Sequence, residues 1–506
     1  MQYRSTRSGE TVTAAYALLH GLADDGGLYV PESFPVNVLT YEDLEGASYQ
    51  ELAGRVLSHF FTDFTSEDLS AMIAASYNAE TFGDERIVPL HSLDTDVSVA
   101  ELFHGRTLAF KDLALSLFPH LLTAAKKKER EEREILILTA TSGDTGKAAL
   151  EGFKDVAGTD IMVFYPSEGV SPIQKIQMQK QRGENVKVAA IRGNFDDAQA
   201  FLKRVFTDKT VNAYANTRGI MFSSANSINI GRLLPQAVYY ASTYAALVDN
   251  GSINAGECFD IVVPTGNFGN ILAAYFAKKM GIPIGQLICA SNKNKVLADF
   301  FETGTYNMNR PFYTTASPSM DILLSSNFER FLYYLSGCDP DKVAAREKNL
   351  LATGTLTISD EEMKEVHETF AGSWIDDAET KHVINHTFND RMYLLDPHSA
   401  VAYGVYLKRR RQGLTSGRHT VIMATAHPYK FPPVICEALA VPAAADPFGD
   451  LERLRALSSI PVPEPLRQLE ELPFRFTEVI DKKEMAQSVT AFVDTVSGKK
   501  EKRGSI

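Results

Sequence analysis

Ile135-Leu136-Ile137-Leu138-Thr139-Ala140-Thr141-Ser142-Gly143-Asp144-Thr145-Gly146-Lys147 passes from an unbroken apolar run into a turn of small residues and then into a helical pattern. A strand that is apolar on both faces belongs inside a covered sheet, and the turn after it starts the helix that covers it. The rhythm recurs along the chain. Ile161-Met162-Val163-Phe164 leads to Pro166 and a helix with Ser171 as cap and Pro172 as first residue. Val186 to Ile191 precedes a helix through Ala198 and Phe206. Ile261-Val262-Val263 leads into the turn 264–270 and a helix from Ile271 to Met280, and Val421-Ile422-Met423 leads to Ala424-Thr425-Ala426-His427-Pro428. Apolar strands alternating with helices predict an α/β fold of mainly parallel sheets covered by helices.

Outside that rhythm, the first ninety-odd residues read as mostly helical, with Leu52, Val56 and Phe60 on one face of a helix from Tyr49 to Phe61. A helix-rich stretch from Ser317 to Arg411 includes an S-x-x-E capping box at Ser359 to Glu362. After Val441 the prolines at 442, 447, 461, 463 and 465 read as a surface linker, and 498–504 as a disordered tail. The expected divisions are 1–95, 96–440 with two α/β lobes, and a C-terminal extension 441–506.

The 506 residues carry 51 lysines and arginines against 63 aspartates and glutamates, a net charge of −12. Nucleic acid and acidic membranes both ask for a basic face, so neither is an expected partner. No run of eighteen apolar residues reads as a membrane span, and residues 1–5 lack the apolar core of a secretory signal. Cys258, Cys289, Cys338 and Cys436 lie far apart, with no zinc spacing and too few for a disulfide framework; the expected compartment is the reducing cytoplasm.

Several catalytic signatures nearly fit. Gly146-Lys147 mimics a Walker A loop, but Thr141 replaces its first glycine and Ala148 its Mg²⁺-binding hydroxyl. His382 and His386 have zinc spacing without the glutamate base, because position 383 is valine, so they read as surface histidines and no metal is expected. Neither G-x-S-x-G nor G-x-G-x-x-G occurs, which disfavours a serine hydrolase and a NAD-dependent dehydrogenase. What remains is Gly266-Asn267-Phe268-Gly269-Asn270, whose glycines allow close backbone approach at a helix start; it is an anion cup or simply a tight turn. The turn 141–146 is a second cup, and two such cups at strand ends point to one crevice in a doubly wound sheet. Lys111 stands before a strongly apolar helix (Leu113, Leu115, Leu117, Phe118). Either it snorkels to water, or burial lowers its pKa and makes its amine reactive. An imine-forming lysine with a phosphate cup is the equipment of a pyridoxal phosphate (PLP) enzyme.

The segment Glu101-Leu102-Phe103-His104-Gly105-Arg106-Thr107-Leu108-Ala109-Phe110-Lys111-Asp112 closely resembles the cofactor-lysine segment of threonine synthases. Residues 139–146, Asn226-Ser227-Ile228-Asn229, 266–270, 425–428 and the opening Tyr3-Arg4-Ser5-Thr6-Arg7 follow in that family's order, so the resemblance covers residues 1 to about 440. It implies a fold-type II PLP enzyme, a carbon–oxygen lyase making L-threonine and phosphate from O-phospho-L-homoserine and water, as a monomer or homodimer. By position, Lys111 is the Schiff-base lysine, and Gly266, Asn267, Phe268, Gly269 and Asn270 cradle the PLP phosphate. Thr425 bonds the pyridine nitrogen and Asp144 faces the cofactor ring, where related enzymes often carry asparagine. Thr141, Ser142, Ser224, Asn226 and Arg232 are the implied substrate residues, although Arg232 reads equally as a structural ion-pair partner. The implied chemistry has Lys111 shuttle protons. The uncharged Thr425 hydroxyl leaves the ring nitrogen largely unprotonated. A phospholyase releasing 2-oxobutyrate shares all these motifs, and a non-catalytic ligand-binding homologue is the alternative from another class; the intact Lys111 and 266–270 turn weigh against it.

Overall fold

The computed structural model describes residues 1–504, with side chains described through Lys499. The expected strands form, and they divide between two sheets. In the first, Val479–Asp481, Val186–Arg192, Thr159–Pro166, Glu134–Ala140 and Ile220–Ser224 lie side by side in that order, all parallel. In the second, Phe370–Trp374, Ile284–Ser291, Phe259–Pro264, Thr420–Ala424, Val97–Glu101 and Leu90–Asp94 follow one another, with the last pair antiparallel. Thr159–Pro166 and Phe259–Pro264 are buried along their whole length, as strands covered on both faces must be.

The strands fall into two sheets, one all parallel and one with a single antiparallel edge pair. The turn 141–146 ends a strand of the first sheet and the turn 266–270 a strand of the second, so the site's crevice lies between lobes. The helix Gln236–Asp249 links Ile220–Ser224 of the first sheet to Phe259–Pro264 of the second. It buries residues on every side, among them Val238, Tyr239, Tyr240 and Leu247. A helix apolar all round must be enclosed by protein.

Local signals behave as their chemistry dictates. Ser171 and Gln174 close a reciprocal capping box on Pro172–Gln179, and Ser359 with Glu362 does the same for Asp360–Thr369. Tyr49–Leu57 buries Leu52 and Val56 on one face. The N-terminal region carries more than helices. Thr11–Thr13, Gln2–Ser5 and Tyr29–Pro31 form an antiparallel sheet whose three- and four-residue strands are too short to show a period.

The region after Val441 is not a linker. Pro447 and Pro465 sit in the first turns of Pro447–Ser458 and Glu464–Glu471, where a missing N–H costs nothing. Leu451, Leu454, Leu466 and Leu469 are all buried, each stabilising by about 2 kcal/mol. The strand Val479–Asp481 then completes the first sheet, and Met485–Gly504 packs Val489, Phe492, Val493 and Val496 onto it. The helix thus continues through the stretch read as a disordered tail, because its buried face anchors it.

Candidate active site

Lys111 is positioned by a loop zipped to the end of the strand Thr420–Ala424. The Phe110 N–H donates to Thr425 O at 2.9 Å, and the His427 N–H to Leu108 O at 3.0 Å. Behind the loop, Asp112 accepts from the Thr107 N–H (2.8 Å) and hydroxyl (2.6 Å). A Cβ on Gly105 would come within 2.4 Å of the Asp112 Cβ, which is why glycine stands there. The Lys111 side chain is 12% exposed, with its Nζ 4.7 Å over the Phe110 ring and 3.7 Å from Asp144 Oδ2. The amine faces a cavity, so the reading in which it snorkels to water fails. Burial pushes its ammonium down to about 8; Asp144 partly holds it up, while Arg232 and Lys430 push it lower.

Asp144 opens the helix Asp144–Gly152, three residues earlier than the expected start at Lys147. Its Oδ1 takes the Lys430 ammonium at 2.6 Å and the Gln174 amide at 2.7 Å. Burial alone would raise this carboxyl, but Lys430 and Lys111 more than offset it and hold it well below the usual carboxylate range. It is therefore a permanent anion beside the amine.

Across the cavity, the turn 266–270 leads into a helix start whose backbone N–H groups face no capping side chain. Phe268 adopts φ 63° at the cap of Gly269–Met280, and no side chain caps that helix, so its first N–H groups stay available. The cup's carbonyls are tied back: Ser325 Oγ donates to Gly266 O, and the Asn327 N–H and Nδ2 donate to Asn267 O. Tyr239 and Tyr240 hydroxyls both donate to Asn270 Oδ1, leaving its Nδ2 buried without a partner. A Cβ on Gly269 would meet only ordinary contacts, the nearest 3.5 Å away, and would project beside Gln236 and Ser227. The protein's own packing does not demand glycine there, which leaves room for a group seated against the turn. The residues fit a phosphate-bearing cofactor.

Arg232 borders the same cavity. It is 2% exposed, donates from Nη1 to Ala225 O, and keeps its Nε without a partner. Burial lowers this guanidinium to about 10, with Asp112 opposing. Among the described residues it makes no salt bridge, so it is not the ion-pair residue of the structural reading; a buried guanidinium without a counter-charge calls for an anion. Thr425 lines the cavity near His398, whose Nε2 accepts the Ser319 N–H while its Nδ1 bonds Asp396.

Other expected residues lie further off. Thr141 Oγ1 accepts the Gly143 and Gly146 N–H groups, stapling its own loop, and neither Thr141 nor Ser142 lines the cavity. Asn226 has both polar ends on the Ala140 backbone, and Ser224 Oγ accepts the Asn226 N–H. Ser224 and Asn226 line a small neighbouring cavity that Ser227 and Asn267 share with the main one. Ser227, Gln174, His398 and Lys430 escaped the sequence reading. Lys430 had a signal, a lone lysine among Pro428, Tyr429, Phe431 and Pro432. A cavity of about 890 Å³ lies elsewhere against the C-terminal extension, and neither Lys111 nor the cup lines it.

Three family models match the chain: Threonine synthase N terminus over residues 2–77, Pyridoxal-phosphate dependent enzyme over 81–426, and Threonine synthase, C-terminal over 399–493. The last extends the resemblance well past residue 440. Threonine synthase-like 1 of Homo sapiens is 40% identical over 84% of this chain, and the chain spans 58% of that protein's length. Threonine synthase of Pseudomonas aeruginosa is 38% identical over 90% of this chain and 96% of its own. The crystal structure of PLP-bound threonine synthase from Brucella melitensis superposes with a TM-score of 0.84 at 36% identity, covering 97% of this chain and 99% of that one.

Proposed function

The chain belongs to the threonine synthase family of pyridoxal-phosphate-dependent enzymes, and from that premise we propose that it converts O-phospho-L-homoserine and water into L-threonine and phosphate with PLP as cofactor. The observation that carries this reading is one cavity in which a depressed lysine amine stands with two anion-receptive points, the uncapped helix start at 268–270 and the unpartnered Arg232 Nε. Two phosphates, one on the cofactor and one on the substrate, match two such points.

The turn 266–270 would hold the cofactor phosphate, Lys111 its aldehyde carbon and Thr425 its ring nitrogen. PLP, when bound, supplies an electron sink that makes the substrate's Cα and Cβ protons acidic. The chain's own part is to position and to move protons. Lys111 Nζ, depressed to about 8, is neutral in part near pH 7 and can take a proton and return it. Asp144, anchored by Lys430 and Gln174, stays ionised and orients that amine. Arg232 and Ser227 would receive the substrate phosphate and the phosphate that leaves. Four unpaired cysteines support a cytosolic setting.

The test is product analysis of the full chain loaded with PLP and given O-phospho-L-homoserine. Threonine with equimolar phosphate is expected. Release of 2-oxobutyrate instead would make the protein a phospholyase, and no phosphate release at all would overturn the reading.

A further inference from the structure

Lys430 has no exposed surface, yet its ammonium makes two polar contacts, 2.6 Å to Asp144 Oδ1 and 2.7 Å to Thr107 O. Its backbone joins the same arrangement, because Ser171 Oγ donates to Lys430 O at 2.7 Å. Ser171 and Gln174 form one capping box, and Gln174 holds Asp144, so three segments converge on this lysine. Thr107 belongs to the lysine loop, while Asp144, Ser171 and Gln174 belong to the lobe of the first sheet. Lys430 comes from the turn that follows the strand Thr420–Ala424 of the second. A buried ammonium on one lobe and a buried carboxylate on the other are therefore joined directly behind the reactive amine.

We propose that Lys430 is a positioning residue of this site: it pins the Asp144 carboxylate beside Lys111 and neutralises it, so that Asp144 orients the Lys111 amine without capturing it as an ion pair. The inference rests on the reading of Lys111 as the working amine. Two distances make the case. Asp144 stands 2.6 Å from Lys430 and 3.7 Å from Lys111, so the stronger partner is the lysine that does no chemistry. Without Lys430, the nearest cation left to Asp144 would be Lys111 itself. A buried carboxylate with one remaining counter-charge holds it tightly. The amine would then stay protonated.

The groups around Lys111 are Asp144 from the helix Asp144–Gly152, Arg232 from Ile230–Leu233, His398 from Pro397–Arg411, and Lys430; Asp112, the next residue in the chain, carries a charge that acts on Arg232 and Lys430. Of these, only Asp144 and Lys430 change in the test, and they carry opposite charge. Loss of Lys430 removes a cation and should make Lys111 harder to deprotonate; loss of Asp144 removes an anion and should make it easier.

The experiment is competitive acetylation of the full chain without added cofactor. Lys111 reactivity is read against pH by peptide mass spectrometry. Lys430→Met should raise the Lys111 midpoint by about one pH unit, Asp144→Asn should lower it by a similar amount, and the double variant should return near the parent. Lys430→Gln keeps a donor toward Asp144 and Thr107 if the methionine variant does not fold, and its midpoint must rise as well. Lys430→Arg should leave the midpoint in place. A midpoint unmoved by loss of the Lys430 charge, or shifts of the same sign in the two single variants, would overturn the proposal. Because acetylation reads the free Lys111 amine of the cofactor-free chain, PLP capture is scored separately. Its failure would count against the proposed function and leave the Lys430 result standing.

Discussion

The side chain of Asn226 pairs with both backbone groups of Ala140, donating to its carbonyl oxygen at 2.7 Å and accepting its N–H at 3.1 Å. A residue that family resemblance places at the substrate is thus a strut between two strand ends, and it fixes where the turn 141–146 begins. Asn226→Ala should cost about 2 kcal/mol, because two backbone groups lose their partner. Urea unfolding of the cofactor-free chain measures it; a loss under about 0.5 kcal/mol would deny the strut.

The two glycines of the cup should behave differently. A Cβ at Gly269 meets no atom closer than 3.5 Å, whereas one at Gly266 would lie 2.6 Å from Ser319 O. Gly269→Ala is expected to weaken PLP binding about tenfold, or ~1.4 kcal/mol, with the cofactor-free melting temperature nearly unchanged. Gly266→Ala should lower that melting temperature. Equal effects of both on PLP affinity and on stability would mean the cup is only a tight turn.

Lys111 should set a pH dependence of stability. Its folded-state value of about 8 lies below the ordinary 10.5, so between these two the unfolded chain holds more protons and stability rises with pH. Below about 8 the full cost of the buried charge is present, ~3 kcal/mol at most. Lys111→Met should therefore stabilise the cofactor-free chain at pH 7 by ~1–3 kcal/mol, a gain that fades by about pH 10.5. Unfolding curves at the two pH values check this. The same variant should lose the visible absorption that the parent acquires with PLP, and borohydride should fix PLP mass on the Lys111 peptide of the parent alone.

Arg232 should matter for substrate far more than for the fold. Its Nε is buried without a partner, so replacing it by an apolar chain relieves a desolvation cost while removing the Nη1 bond to Ala225 O. Arg232→Met is expected to keep PLP and nearly the parent's stability, and to raise KM for O-phospho-L-homoserine by roughly 10–100-fold. Steady-state kinetics with parallel PLP absorption decides it; loss of PLP with KM unchanged would move Arg232 to the cofactor.

Much of this protein was legible from local chemistry. Period and turn residues are short-range properties, so the apolar strands at 135–138, 161–164 and 261–263, the Ser171 and Ser359 caps, and the glycine-rich turn at 266–270 could be read directly. Lys111 stood out because a lysine before an apolar helix is costly unless it has a task. Tertiary structure decided what depends on partners distant in the chain. Pairing across the chain set the strand order within each sheet, and Leu466 and Leu469 turned a proline-rich stretch into core. Asn226 met Ala140 across 86 residues, and Lys430 met Asp144 across 286, from the opposite lobe. A carboxylate's charge and an amine's pKa are set by groups within a few ångströms, whatever their separation along the chain. Sequence therefore told which residues are chemically able, and only the fold could tell which of them are already bound to one another and which are left free to act.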